Sequence, residues 1–292
     1  MALLEARGLP KRFEDGSAVA GVDLDVEPGE IFGRIGPDGA GKTTMLRLLV
    51  GVLDADEGHA SLEGVRVDKD PDGVRERLGY MPQQYSLYAD LTVAENLRFF
   101  ADMHFVSRAD RKGRLTRLYQ FSRLEPYARR RAGQLSGGMY KKLALSCNMI
   151  HSPRLLLLDE PTTGVDPLSR RELWEILYAF AAEGVAVVVS TPYMDEAERC
   201  HRVGLMSAGR FLQTDSPKKI LAPTPCVPHT AQELHEYLGY EGQLLRPQHV
   251  VEYQEETCSH KALTCDHAVD LGIWMPSERL AGQALGCLLY TS

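Results

Sequence analysis

This 292-residue sequence predicts an α/β fold, with a mainly parallel sheet flanked by helices. Three observations predict it. Leu155-Leu156-Leu157-Leu158 and the segment 185–189 are continuous apolar runs of strand length, the pattern of strands buried on both faces. The first run ends in two carboxylates, Asp159 and Glu160, and functional groups in open α/β sheets sit at the carboxyl ends of strands. A glycine-rich stretch, Gly36-Pro37-Asp38-Gly39-Ala40-Gly41-Lys42-Thr43-Thr44, lies between a strand-like segment (29–35) and a helix-like one (44–50).

The elements follow in order. Residues 1–30 should supply much of a small antiparallel β subdomain, because 19–26 alternate apolar and polar residues. Residues from about 86 to 152 should form a helical arm. Within it, 94–103 and 115–124 carry apolar residues at i, i+3, i+4 spacing, which core packing explains. A further helix is expected from Met139 to about Ile150, and another starting near Asp195-Glu196-Ala197-Glu198.

The glycine-rich stretch satisfies G-x-x-x-x-G-K-[ST], the phosphate-binding P-loop. Glycines let successive backbone N–H groups converge on one anion, and the helix that follows adds its positive dipole end. Lys42 would reach the β- and γ-phosphates, and the Thr43 hydroxyl would ligate Mg²⁺. Downstream, Asp159 has the place of a carboxylate that holds Mg²⁺ through water, and Glu160 that of the group that polarises an attacking water. By itself the acidic pair reads as a core strand followed by an acidic turn; with the P-loop, it reads as the second half of a nucleotide site.

Between them stands Leu135-Ser136-Gly137-Gly138-Met139, 23 residues from Ser136 to Asp159. Ser-Gly-Gly opening a helix is another anion-binding N-terminus. With the P-loop and the acidic pair, this segment resembles the L-S-G-G-Q signature of ABC transporter ATP-binding subunits, with Met139 where that family has Gln. The resemblance covers roughly residues 2–220 and implies a P-loop NTPase core, a small antiparallel β subdomain and a helical signature subdomain. It implies that Phe13 stacks on adenine and that Gln83 senses Mg²⁺ and couples to the membrane domain. It also implies that Ser136, Gly137, Gly138 and Asp166 serve a nucleotide bound on a partner cassette. Gly-Pro-Asp-Gly-Ala-Gly-Lys, Leu91-Thr92-Val93-Ala94-Glu95-Asn96 and Tyr193-Met194-Asp195-Glu196-Ala197-Glu198 look most like exporters of the ABC-2 type.

Three residues depart from that pattern. Pro192 follows Ser190-Thr191, where the family has its switch histidine, and proline has neither a side-chain donor nor an N–H. Arg34 interrupts an apolar strand, where an unpaired charge is costly. His201 stands where the family has Asp, nine residues past Pro192 and beyond the helix expected at 195–198, so it is not expected to replace the switch histidine. Each differs from the family residue by one nucleotide, which suits a degenerate subunit and an error-bearing sequence equally.

Composition is that of an ordinary globular protein, 44% hydrophobic and 25% charged. No N-terminal signal peptide and no apolar run of membrane-spanning length is read, so the expected place is the cytoplasm, peripheral to the membrane. Residues 1–220 hold 30 basic and 31 acidic residues, without the basic excess of a nucleic-acid binder. The run Arg129-Arg130-Arg131 reads as a solvated turn or a dimer edge. Residues 221–292 are different: nine acidic and three basic residues, four of the six cysteines, and three prolines in a linker-like stretch at 221–228. Cys258, His260, Cys265 and His267 match no familiar zinc spacing. The last residues, in mid-hydrophobic run, suit a truncated or frame-shifted end as well as an accessory domain.

The expected function is therefore an ATP- and Mg²⁺-dependent ATPase that powers a membrane exporter. Its expected partners are a transmembrane permease on a separate chain and a second ABC domain, with no nucleic acid. The alternatives are a hydrolysis-deficient ABC subunit acting as an ATP-dependent binding module, and a soluble non-transport ABC ATPase. The soluble types carry two cassettes in one chain or a long coiled coil before the signature. Here there is one P-loop, and only 94 residues separate Lys42 from Ser136 with no sustained heptads.

Overall fold

Strand burial sorts the chain into two sheets. The computed structural model describes residues 2–220 except 14, 15, 85 and 86; the linker-like stretch at 221–228 and the tail with Cys258, His260, Cys265 and His267 lie outside the described residues. Strands β1 (Leu4–Phe13), β2 (Gly16–Val26) and β3 (Ile31–Ile35) precede helix α1 (Lys42–Val50). Strands β4 (His59–Leu62) and β5 (Val65–Arg66), helix α2 (Pro71–Arg75) and strand β6 (Leu78–Met81) follow. Three helices come next: α3 (Val93–Met103), α4 (Arg108–Ser122) and α5 (Gly137–Met149). The chain then alternates through β7 (Leu155–Asp159), α6 (Pro167–Ala182), β8 (Ala186–Thr191) and α7 (Met194–Ala197). It continues through β9 (Arg202–Ser207), β10 (Arg210–Asp215) and α8 (Pro217–Ile220).

The first sheet is antiparallel, in the order β2-β1-β4-β5. Val22, Leu24 and Val26 are buried, while Asp23 is exposed and Asp25 partly so, the alternation expected of a sheet with one wet face. The alternation slips between Val19 and Val22, opposite the register shift between Leu9 and Pro10 of β1, as an extra bulged residue on β2 requires. The second sheet has the order β10-β9-β3-β8-β7-β6 and is parallel except for its edge strand β10. Its central strands β3, β8 and β7 are buried at every residue. The predicted α/β class with a small antiparallel sheet is the observed one.

Helix boundaries follow their caps. The Thr92 side chain accepts from the Glu95 N–H and the Glu95 carboxylate accepts from the Thr92 N–H, a capping box that starts α3. Helix α4 starts at Arg108 under a Ser107 cap, seven residues before the expected Leu115, and stops at Ser122, where Arg123 turns left-handed (φ 57°). Its first half is charged and exposed, so no apolar stripe announced it. Helix α5 begins at Gly137, two residues before Met139, because Ser136 caps it. Strand β3 begins at Ile31; Gly29, in the left-handed region, belongs to the turn before it.

Helix α6 buries Leu173, Trp174, Leu177 and Phe180, one face at helical spacing. Trp174 is among the largest fully buried side chains. We expect Trp174→Ala to lower unfolding free energy by about 3–5 kcal/mol through lost burial and the cavity left behind. Urea titration followed by circular dichroism measures it, and a loss under about 1 kcal/mol would mean that the site collapses around the alanine.

Candidate functional site

The sheet brings three loops to one edge. In parallel register Ile35 of β3 pairs with Thr191 of β8, and Ser190 of β8 with Asp159 of β7. The glycine-rich loop after β3, Pro192 after β8 and Glu160 after β7 therefore leave the sheet side by side at its carboxyl end.

The loop is shaped by close approach. A Cβ on Gly36 would lie 2.2 Å from the Met206 carbonyl oxygen, and one on Gly41 would lie 2.1 Å from that of Ala18, with Gly41 also at φ +95°. Only glycine fits either place. Gly41 then caps α1, whose first turn carries Lys42, Thr43 and Thr44. The Lys42 ammonium is buried and donates to the Gly36 and Pro37 carbonyls, both at 2.8 Å, with Asp38 at 4.0 Å. Burial lowers its pKa, and the Glu160 and Asp38 carboxylates work in the opposite direction. An ammonium has three donors; two are used here, which leaves capacity for an anion on the loop.

The carboxylates are wired to the neighbouring strand. Ser190 Oγ donates to Asp159 Oδ1 at 2.5 Å and accepts from the Glu160 N–H at 3.1 Å. Glu160 lies past the strand at φ +48°, a left-handed conformation unusual for a residue with a side chain. Its Oε2 accepts from Gln83 Nε2 at 2.8 Å and from Thr163 Oγ1 at 3.2 Å. Asp159 Oδ2 is buried without a hydrogen-bond partner. Among the described residues no group of three or more His, Cys, Asp or Glu side chains is built to hold a metal ion. That donor set suits Mg²⁺, which takes one or two carboxylates and fills its octahedron with water and phosphate oxygens.

A second group lies around the start of α5. Ser136 caps the helix by accepting from the Met139 N–H at 3.3 Å. A Cβ on Gly138 would lie 2.3 Å from the Ser169 side chain, and one on Gly137 would lie 3.5 Å from the Gly164 carbonyl oxygen. Asp166 caps α6 by accepting from the Ser169 N–H at 2.9 Å, which holds its carboxyl below the ordinary range. Ser136, Gly137, Gly138 and Asp166 thus form one cluster, and Lys42, Asp159, Glu160 and Gln83 another. Lys141, one turn into α5, approaches the second: its Nζ donates to the Gln83 carbonyl at 3.5 Å. Burial lowers its pKa while Glu160 and Asp159 act in the opposite direction. Phe13 ends β1 with its ring about half exposed.

Sequence reasoning missed Ser190, Thr163 and Lys141, because a serine in a valine run and a lysine on a helix carry no motif. The three departures now have surroundings. Pro192 is exposed, but the segment after it is held: Thr191 Oγ1 donates to the buried Glu196 at 2.6 Å, and the Arg170 guanidinium lies 4.4 Å over the Tyr193 ring. His201 Nδ1 accepts from the Ile31 N–H at 2.8 Å, at the amino end of β3, the opposite end from the P-loop. A carboxylate there would accept the same bond. Arg34 is fully buried, and its Nη1 donates to the Lys42 carbonyl at 2.6 Å. The basic run 129–131 is exposed, with Arg130 over the Tyr127 ring, as a solvated turn.

Comparison with known proteins agrees with this geometry. The profile of the "ABC transporter" family matches residues 19–163. The "Probable multidrug ABC transporter ATP-binding protein YbhF" of Escherichia coli (strain K12) is 47% identical over 221 residues, which are 75% of this chain and 38% of that protein. The "Nod factor export ATP-binding protein I" of Burkholderia pseudomallei (strain 1710b) is 38% identical over 222 residues, 76% of this chain and 73% of that protein. The chain thus spans well under half of the first relative and about three quarters of the second. A solved "ATP binding subunit of ABC transporter" superposes with a TM-score of 0.68 at 30% identity, over 75% of this chain and 91% of that one. The cbiO1 structure from Clostridium perfringens, at 24% identity and a TM-score of 0.71 over 82% of this chain and 94% of that one, shares the fold. With the P-loop, the acidic strand end and the serine-capped signature helix all in place, the chain belongs to the family of ABC transporter ATP-binding proteins.

Proposed function

We propose that this chain is the ATP-binding and ATP-hydrolysing subunit of a membrane exporter and that it works as one of two cassettes closing head to tail on ATP. The observation that carries the reading is the division of the polar residues into two clusters. One supplies a cation, hydroxyls and carboxylates, and the other a serine-capped helix N-terminus; each is half of a phosphate site. A second cassette, a copy or a homologue, completes each half. Of the relatives, one is named for the export of Nod factor and another as a multidrug ABC transporter protein. We take 1–220 as the cassette, with its helical arm at about 86–152, and 221–292 as linker and tail.

In this mechanism the loop from Gly36 to Thr44 wraps the phosphates with its backbone N–H groups. Lys42 turns its ammonium from the Gly36 and Pro37 carbonyls to the β- and γ-phosphates, and Phe13 stacks on adenine. Thr43, Gln83 and Asp159 would hold Mg²⁺, which neutralises phosphate charge when bound. Glu160, oriented by Gln83, Thr163 and its own N–H bond to Ser190, accepts the proton of the attacking water. Ser136, Gly137, Gly138 and Asp166 act on the nucleotide of the partner cassette. Closure excludes water and completes the site, and loss of the γ-phosphate reopens it. The helical arm and Gln83 pass that motion to a permease carried by a separate chain, with this subunit peripheral on the cytoplasmic face. Among the described residues no helix is long and apolar enough to cross a membrane.

Pro192 favours a second reading, a cassette that binds ATP but turns it over slowly, because a proline stands where the family has its switch histidine. Three variants test these assignments. Lys42→Ala should abolish MgATP binding in isothermal titration; retained affinity would move the site elsewhere. Glu160→Gln should bind ATP without consuming it and so run as a dimer in size-exclusion chromatography with MgATP. A strictly monomeric profile, even with the permease present, would reject the sandwich. Pro192→His should raise steady-state ATPase turnover by roughly 10²–10³, the worth of one charge-assisted contact in the transition state. Equal rates in the two proteins would mean that position 192 takes no part in the reaction.

A further inference from the structure

Arg34 is the one charged residue within the five buried positions of β3. A guanidinium has five N–H donors and no acceptor, and burial without partners is expensive. Only Nη1 finds an acceptor, the Lys42 carbonyl at 2.6 Å; Nε and Nη2 are buried without a partner. The register shows what shares its row. Arg34 pairs with Ser190 on β8, and Ser190 pairs with Asp159 on β7. Directly paired residues of neighbouring strands project to the same face of a sheet, so Arg34, Ser190 and Asp159 form one lateral row beneath the P-loop. Ser190 bonds Asp159 Oδ1, while Oδ2 is buried and unpartnered. Unsatisfied donors and an unsatisfied acceptor thus lie in the same buried row.

The electrostatics agree with the geometry. Burial pulls the Arg34 pKa down to about 10, and Asp159 is the anion that most strongly opposes that change. Arg34 in turn acts on Lys42 as a like charge. Among the buried charges at this end of the sheet are Arg34 and Lys42 on one side and Asp159 and Glu160 on the other. With an apolar residue at 34, Asp159 would lose the one cation of its own row, and more of the compensating charge would have to come from a divalent metal.

We propose that Arg34 is a built-in counter-cation of Asp159, a positioning residue that supplies part of the positive charge Mg²⁺ brings and so makes nucleotide binding here less dependent on Mg²⁺. This rests on the P-loop reading of the site for its nucleotide half; the pairing with Asp159 does not. The chemistry requires nothing beyond charge balance: a fixed cation in the row of the carboxylate, without a direct hydrogen bond to it, offsets its charge and competes with a metal for its field.

The test has two arms, and Arg34→Met repeats both should Arg34→Leu fold poorly. The first reads thermal stability without nucleotide or metal. Asp159→Asn keeps the acceptor for Ser190 but removes the charge, so in the parent it should lower the melting temperature by roughly 6–15 °C, because it leaves Arg34 buried and unpaired. In the Arg34→Leu background the same substitution should cost little or nothing, and equal losses in both backgrounds overturn the pairing. The second arm reads affinity for a fluorescent trinitrophenyl-ATP with Mg²⁺ and with EDTA. We expect the ratio of the two dissociation constants to be about tenfold larger in Arg34→Leu than in the parent, the effect of about one pKa unit's worth of charge interaction. Equal ratios overturn the role in metal dependence. Failure of both proteins to bind nucleotide would reject the P-loop reading and leave the stability arm to decide the pairing.

Discussion

The parallel ladder that joins β3, β8 and β7 is the constraint on which everything else in this protein depends. Its pairs, Ile35 with Thr191 and Ser190 with Asp159, put the ends of three strands at one level. Because side chains alternate between the two faces, a slip of one residue would turn Asp159 and Ser190 away from each other. The register is held by burial on both faces: Val187, Val188, Val189 and Leu155 to Leu158 are wholly inaccessible. A slip of one residue would carry each of these side chains to the opposite buried face, where the packing is shaped for different residues, so the core fixes the chemistry's geometry.

That edge concentrates charge inside a medium that disfavours it. Lys42, Asp159, Glu160, Arg34 and Glu196 are all buried. Each has a specific partner: loop carbonyls for Lys42, the Lys42 carbonyl for Arg34, Ser190 for Asp159, Gln83 and Thr163 for Glu160, Thr191 for Glu196. Buried ion pairs add little stability over an apolar core, since desolvation offsets most of the attraction. Their value is in pre-orientation: dipoles and charges already aimed need no reorganisation when a phosphate arrives. The left-handed backbone at Glu160 is strain of the kind that persists at working sites when the surroundings over-determine it.

The helical arm carries a different division of labour. Helices α3 and α4 have exposed outer faces and rely on caps, the box at Thr92 and Glu95 and the serine at 107. Helix α5 is buried along 142–149 and ties the arm to the sheet, so its N-terminal serine is anchored by its far end. Lys141 stands between, one turn from Ser136 and in contact with the Gln83 carbonyl. In the proposed cycle this is where movement of the Gln83 segment meets the signature helix, a direct physical link between the two clusters.

The sequence by itself determined the fold class, the order of the motifs and most residues of the candidate site. It could, because those features are local: glycines that a loop requires, apolar runs long enough for a strand, a serine before a helix. The charged start of α4 was hidden for the same reason, since a solvated turn has no periodicity and its limit is set by a cap. What only the tertiary structure decided is which distant residues share a row. Ser190 lies 31 residues from Asp159 and 156 from Arg34, and nothing along the chain says that two strands will place it between them. Arg34 read as a stray charge and His201 as a lost carboxylate. Strand pairing gave one an anion in its own row and the other an N–H to accept, because the sheet, and not the sequence, sets the distances over which charges and hydrogen bonds act.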